Sequence, residues 1–308
     1  MARIPLTSYA RRGVGFGTSG VRATVDALSD EVCFAYATAF LHALVLPRVA
    51  GGRPAVALGH DLRPSSPRIT AACAAACRAA GADVVLCGAV PTPALAHFAM
   101  SRGLPAIVVT GSHIPFDRNG IKFYLPSGEI LKEDEAAIAA AAVDLDPARF
   151  DEAGRLRGAP PLPAVDPAAR QLFLDRYLRF FPQGALRGWR VGLYQHSSVA
   201  RDLLAELLHC LGASVVPLGR TDTFVPVDTE AVSADDERQA RAWVAEHRLD
   251  ALVSTDGDAD RPLLGDEQGR LLRGDVVGML TAHALGARTV VTPVSSNTAV
   301  ERWGVFAK

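Results

Sequence analysis

The sequence predicts an α/β protein made of successive three-layer α/β/α domains with mixed sheets. Three observations carry this. Short β-branched runs alternate with longer amphipathic segments, the pattern of parallel α/β units. A stretch rich in Pro, Ala and Gly at 144–167, centred on Gly158-Ala159-Pro160-Pro161-Leu162-Pro163, separates two such runs. A third run begins near Arg261 and holds too little chain to cover a parallel sheet on both faces.

Residues 55–59 (Ala-Val-Ala-Leu-Gly) read as a strand. Ser65-Ser66-Pro67 supplies a cap and a first-turn proline for a helix running to Ala80. Strands follow at 83–87 and 106–110. Asn119-Gly120 reads as a tight turn opening the strand 121–125, and Pro126-Ser127-Gly128 as a second turn, so this is hairpin territory. Residues 133–143 read as helix and complete a first domain, 1–150.

The second domain, 163–261, starts with a helix at 167–180. Strands at 190–194 and 214–218 alternate with helices at 199–211 and 234–247, and a strand at 250–254 ends the unit. In the third, 262–308, a hairpin joins Pro262-Leu263-Leu264 to Arg270-Leu271-Leu272, followed by a helix at 275–285 and a strand at 289–293. This last unit reads as unfinished.

The 308 residues are 49% hydrophobic and 21% charged, an ordinary globular composition. A net charge of −1 gives no reason to expect nucleic acid or an acidic membrane surface. The lysines are Lys122, Lys132 and Lys308 alone, which singles out Lys122. Five cysteines form no zinc pattern, and an odd count suits a reducing cytosol. Cys73 and Cys77, one turn apart, read as buried thiols. The longest apolar stretch, 32–46, contains His42 and is too short for a bilayer. No signal peptide is visible. The expectation is a cytoplasmic, soluble protein.

The most informative stretch is Asp256-Gly257-Asp258-Ala259-Asp260-Arg261, directly after the apolar run 251–254. Three carboxylates two residues apart can turn their oxygens toward one hard cation. The adjacent arginine makes sense where ion and guanidinium share an anion such as a phosphate. An EF-hand would need Gly where Arg261 stands, and a helix where a strand precedes. A haloacid-dehalogenase-type phosphatase, with Asp256 as nucleophile and Asp258 as acid, is the chemical rival. Its motif continues with Thr or Val where this chain has Asp260. A solvated acidic turn is the plain alternative.

Thr110-Gly111-Ser112-His113-Ile114-Pro115 follows a strand, at the sheet end where ligand chemistry gathers. It is no Gly-x-Ser-x-Gly elbow. Adjacent Ser and His in an extended chain point to opposite sides, a poor direct dyad. A serine that carries or accepts a phosphate fits better, its charge of about −1.5 to −2 being stabilised by a metal and arginines. Lys122 can neutralise a phosphate, or move a proton if neighbouring positive charge lowers its pKa.

Gly15-Phe16-Gly17-Thr18-Ser19-Gly20-Val21-Arg22 contains a literal Gly-x-Gly-x-x-Gly. With no preceding strand and no acidic partner downstream, it is a weak dinucleotide signal. A loop bringing backbone N–H groups and Arg22 to an anion fits it better. Asp61 and Arg63 read as a pair bracing the site, 88–93 as a turn into a helix, and His196, His209, His247 and His283 as structural.

In this order, segments 17–22, 110–115, 119–122 and 256–261 closely resemble the α-D-phosphohexomutase superfamily, the phosphomannomutases and phosphoglucomutases. The resemblance covers the whole chain. It implies that Ser112 is a phosphoserine and that Asp256, Asp258 and Asp260, with the Ser112 phosphate, hold Mg²⁺. It implies that Arg22, Lys122 and Arg261 surround the phosphate and that Lys122 and His113 transfer protons. It further implies a phosphorylated hexose (mannose or glucose) whose 1-phosphate and 6-phosphate interconvert through hexose 1,6-bisphosphate, which also serves as activator. Ile114 stands where the family pattern has Asn, and Ala259 where it has Gly; neither position supplies an obligatory ligand side chain.

Family members have four domains, so the resemblance implies a C-terminally truncated chain, its third domain incomplete and the fourth absent. Little or no mutase turnover is then expected. A Mg²⁺-dependent sugar-phosphate phosphatase and a non-catalytic remnant, binding a partner through an exposed sheet edge, are the alternatives.

Overall fold

The computed structural model describes residues 1–49, 52–158 and 161–306. Ala159 and Pro160 of the expected linker, and Lys308, lie outside the described residues. In the first half, β1 (Ala2–Pro5), β2 (Gly15–Phe16) and β3 (Val21–Thr24) precede α1 (Asp30–Phe40). Next come β4 (Ala55–His60), α2 (Ser66–Ala79), β5 (Asp83–Ala89), α3 (Thr92–Ser101) and β6 (Ala106–Val109). Then β7 (Arg118–Leu125), β8 (Gly128–Glu129), α4 (Lys132–Ala139) and β9 (Ala142–Leu145) complete this half.

The sheet runs β2-β3-β7-β6-β4-β5, with β8 on β7. It is mixed: β4 is parallel to β5 and β6, while β7 is antiparallel to β3 and β6. Alternation along each strand splits its side chains between two cores. Val56, Leu58, Ile107 and Val109 pack with α1 and α2, whereas Ala57, Ala106 and Val108 pack with α3. Three layers result, as the sequence predicts. Cys73 and Cys77 are buried free thiols in α2.

The second half comprises α5 (Ala168–Phe180), β10 (Arg190–Tyr194), α6 (Arg201–Cys210), β11 (Ser214–Leu218), α7 (Ala234–His247) and β12 (Ala251–Thr255). After these come β13 (Pro262–Gly265), β14 (Leu271–Leu272), α8 (Gly274–Ala284) and α9 (Ala299–Arg302). The sheet order is β11-β10-β12-β13-β14, with β10, β11 and β12 parallel and the last two strands antiparallel. Among the described residues no helix is long and apolar enough to cross a membrane.

Several expectations need correction. Asn119 and Gly120 lie inside β7, not in a turn. The Asn119 amide instead donates to Ser65 Oγ (2.8 Å) and Ser66 Oγ (3.0 Å), so tertiary bonds override turn propensity. Ser65 consequently does not cap α2, although Pro67 does sit in its first turn. The helix at 133–143 stops at Ala139, because Val143 and Leu145 alternate with exposed neighbours and pair with β1. The 262–272 hairpin, expected to open a third unit, is hydrogen-bonded onto β12 as part of the second sheet. Residues 289–293 form no strand; Val291 is 96% exposed, and no strand among the described residues pairs with this run.

Candidate phosphoryl-transfer site

The carboxyl ends of β4, β6 and β12 deliver the loops that form the site. Asp61, just past β4, accepts hydrogen bonds from Thr110 Oγ1 (2.9 Å), Gly111 N (3.2 Å), Ser66 Oγ (2.5 Å) and Arg63 N (3.0 Å). Arg63 is 1% exposed and donates to four carbonyls: Ser112 (3.0 Å), Ile114 (2.6 Å), Pro115 (2.8 Å) and Arg118 (2.9 Å). Its Nε lies 3.4 Å from Asp61 Oδ2, an ion pair without hydrogen-bond geometry. The expected brace is there, and it holds backbone as well as its own partner. A Cβ on Gly111 would sit 2.5 Å from the Arg63 guanidinium, so any other residue there would push Arg63 aside.

This cradle holds Ser112 in a left-handed conformation, φ 50°. The chain is therefore not extended, and Ser112 Oγ and His113 Nδ1 approach to 3.3 Å. The expectation that the two side chains diverge is corrected by that one dihedral.

Ser112 Oγ donates to Asp256 Oδ2 at 2.6 Å. The three aspartates meet: one oxygen from each of Asp256, Asp258 and Asp260 lies within 4.8 Å of the others. The loop closes on itself through Asp256 N to Arg261 O (3.1 Å). Ala259 adopts φ 59°, a conformation that costs a non-glycine residue about 1–2 kcal/mol. Gly257 has Ser112 O 3.1 Å from where a Cβ would stand.

Lys122, within β7 rather than at its head, donates to Asp258 Oδ2 (3.1 Å) and Asp260 Oδ2 (2.8 Å). Thr92 donates Oγ1 to Asp258 Oδ2 (2.6 Å) and its N–H to the Asp258 carbonyl (2.9 Å). Asp258 Oδ1 is buried with no hydrogen-bond partner. An orphaned carboxylate oxygen in a cluster of three carboxylates fits a hard divalent cation.

Burial, then the Asp258 and Asp260 charges, pushes the Asp256 carboxyl up to about 8. Burial pulls Asp258 upward too, but Lys122 and Thr92 outweigh it and hold its pKa below the ordinary value. For Lys122, burial favours the neutral amine, yet Asp258 and Asp260 more than offset it and raise the pKa. Its neighbours are carboxylates, not cations that would lower its pKa, so it stands as an ammonium donor. His113 is lowered by burial and then by Arg261, whose Nη1 donates to Nδ1 at 2.8 Å. Arg261 also pairs with Glu230 (3.1 Å).

Arg22 on β3 packs beside Gly17 and Gly120, and its charge contributes to lowering His113. Its side chain makes no hydrogen bond or ion pair among the described residues. The glycine-rich segment is the turn between β2 and β3, with Gly17 N donating to Gly20 O (2.9 Å), so that N–H is not offered to an anion. All of Arg22, Ser112, His113, Lys122, Asp256, Asp258, Asp260 and Arg261 thus lie on adjoining loops and strands. Sequence reasoning missed Thr92, which carried no signal beyond opening a helix. His196, taken as structural, is buried with Nε2 2.9 Å from Thr255 O, against the root of the acid loop.

The family description "Phosphoglucomutase/phosphomannomutase, alpha/beta/alpha domain I" matches residues 13–148, and the corresponding domain II description matches 175–269. A phosphomannomutase of Sinorhizobium fredii is 48% identical over 294 residues, which cover 94% of this chain and 60% of the relative. One from Salmonella muenchen is 44% identical over 296 residues, covering 96% and 59%. The crystal structure of a putative phosphomannomutase from Thermus thermophilus superposes with a TM-score of 0.77 at 20% identity, over 94% of this chain and 66% of that one, a likeness of fold. The chain thus spans about 60% of the length of the two curated relatives.

Proposed function

The chain belongs to the phosphoglucomutase/phosphomannomutase family, and from that premise we propose that it transfers a phosphoryl group between Ser112 and a phosphorylated hexose. The name shared by the two relatives favours mannose phosphates as the sugar. In this reading the phosphoryl group of phosphorylated Ser112 passes to a free hydroxyl of a hexose monophosphate, and Oγ regains a proton. The resulting hexose 1,6-bisphosphate then returns its other phosphoryl group to Ser112, leaving the isomeric monophosphate.

Asp256, Asp258 and Asp260, with the Ser112 phosphate, are the residues that would hold Mg²⁺. Its chemistry there is neutralisation of charge on the phosphoryl oxygens. The chain's own part is positioning and electrostatics, the main sources of rate in such transfers. Arg22 offers a guanidinium that is unpaired among the described residues. Arg261 is held beside His113. Lys122, kept charged, is a donor to phosphate or to a leaving oxygen. His113 has Nδ1 3.3 Å from Oγ and can take and return its proton once Arg261 releases that nitrogen.

The observation that carries the reading is the Ser112 hydroxyl 2.6 Å from Asp256. It also disfavours a phosphatase with Asp256 as nucleophile, since that carboxylate already accepts the serine hydrogen. Incubation with glucose 1,6-bisphosphate and Mg²⁺, followed by intact-mass measurement, should show one added phosphoryl group that Ser112→Ala lacks. Addition of the group to both proteins would place the acceptor elsewhere.

A further inference from the structure

Phe224 lies between β11 and α7, in a segment to which the sequence assigned no role. Its ring is 9% exposed. The Arg63 guanidinium carbon stands 4.1 Å from the ring centroid. Ring atoms Cζ and Cε2 also lie 3.2 and 3.3 Å from the point a Cβ on Gly257 would occupy. One ring therefore touches both the arginine that holds the serine loop and the backbone of the acid loop.

The chemistry of that contact is specific. Arg63 spends its edge on four carbonyls and on Asp61, which leaves the guanidinium face buried with nothing to solvate it. An aromatic face, negative at its centre, compensates a cation there as no aliphatic side chain does. The ring is itself anchored, because Val225 exchanges two hydrogen bonds with Ser197, N to Oγ (2.8 Å) and Oγ to O (3.2 Å).

We propose that Phe224 is a positioning residue that sets the separation between Ser112 Oγ and the acid-loop carboxylates, by seating against the Arg63 face and the Gly257 backbone at once. The assignment rests on the phosphoryl-transfer reading above. Without the ring the guanidinium tilts and carries Ser112 with it, and a displacement of about 1 Å in a reacting group costs about a hundredfold in rate.

Two variants test it. Phe224→Leu keeps most of the volume without the π face. Pentafluorophenylalanine at position 224 keeps the ring while inverting its charge distribution. The readouts are the rate of phosphoryl uptake from glucose 1,6-bisphosphate by intact mass, the melting temperature, and the Mg²⁺ concentration that half-saturates thermal stabilisation. The fluorinated ring is expected to slow uptake about tenfold and leucine about a hundredfold, more than any accompanying fall in melting temperature accounts for, with the half-saturating Mg²⁺ concentration close to wild type. Uptake at the wild-type rate in both variants overturns the assignment. So does a slowing that only tracks a fall in melting temperature. A wild-type chain that takes up no phosphoryl group overturns the transfer reading itself and this one with it.

Discussion

Ser112 and Asp256 are 144 positions apart in sequence, yet one hydrogen bond of 2.6 Å joins them. The carboxyl end of the first sheet thereby meets that of the second at a single hydroxyl. The Arg63 cradle fixes one side of this contact. Lys122 and Thr92, both from the first half of the chain, grip Asp258 on the other.

The acid loop should make metal-free stability fall as pH rises. With its pKa pushed up to about 8, folded Asp256 keeps a proton that an unfolded chain releases near pH 4. The folded state therefore binds more protons between about 4 and 8, and stability declines across that window. Mg²⁺ needs the ionised carboxylate, so the rise in melting temperature that it produces should grow from pH 6 to pH 8. A Mg²⁺ effect independent of pH would count against the site.

Asp258→Asn keeps the side-chain shape but removes the charge from the orphaned oxygen. At a Mg²⁺ concentration about a hundred times the Kd, the wild type should gain about 2.7 kcal/mol, and the variant little of it. Urea denaturation with and without Mg²⁺ measures both; equal gains would dismiss Asp258 as a ligand.

Arg63→Met would leave Asp61 buried without its cation and strip four carbonyls of their donor. The expected loss is about 3–5 kcal/mol, as for one partner of a buried ion pair. Arg63→Lys should fare little better, because an ammonium lacks the planar fork that spans those carbonyls. Urea midpoints decide, and a lysine variant of wild-type stability would refute the cradle.

Much of the fold was legible where local and tertiary preferences agree. Helix Ala234–His247 matches to the residue, because Ser233 and Asp236 form a capping box ahead of a good helix sequence. Strands Arg190–Tyr194 and Ser214–Leu218 match as well. The aspartate triad was legible because alternate carboxylates at a strand end have few other uses. Asn119-Gly120 misled because the asparagine spends its side chain on Ser65 and Ser66. The run at 289–293 is β-branched, but propensity makes no strand without a pairing partner. The contacts of His113, Thr92 and Phe224 depend on a left-handed dihedral and on approaches across the two halves, which no local pattern encodes.

Gly111→Ala isolates the geometry of the serine loop. Its methyl group would stand 2.5 Å from the Arg63 Cζ and Nε, so Arg63 must give way. Phosphoryl uptake at Ser112 should drop about a hundredfold through misplacement alone. Circular dichroism would verify that the fold persists, and unchanged uptake would show that the cradle does not position the hydroxyl.

The most direct test uses chain phosphorylated at Ser112, with Mn²⁺ in place of Mg²⁺. A paramagnetic ion held by Asp256, Asp258, Asp260 and the phosphate should broaden the phosphoserine phosphorus resonance beyond detection, and Asp258→Asn should restore the line. A sharp resonance in the presence of bound Mn²⁺ would mean that serine and metal occupy separate places, contradicting the account.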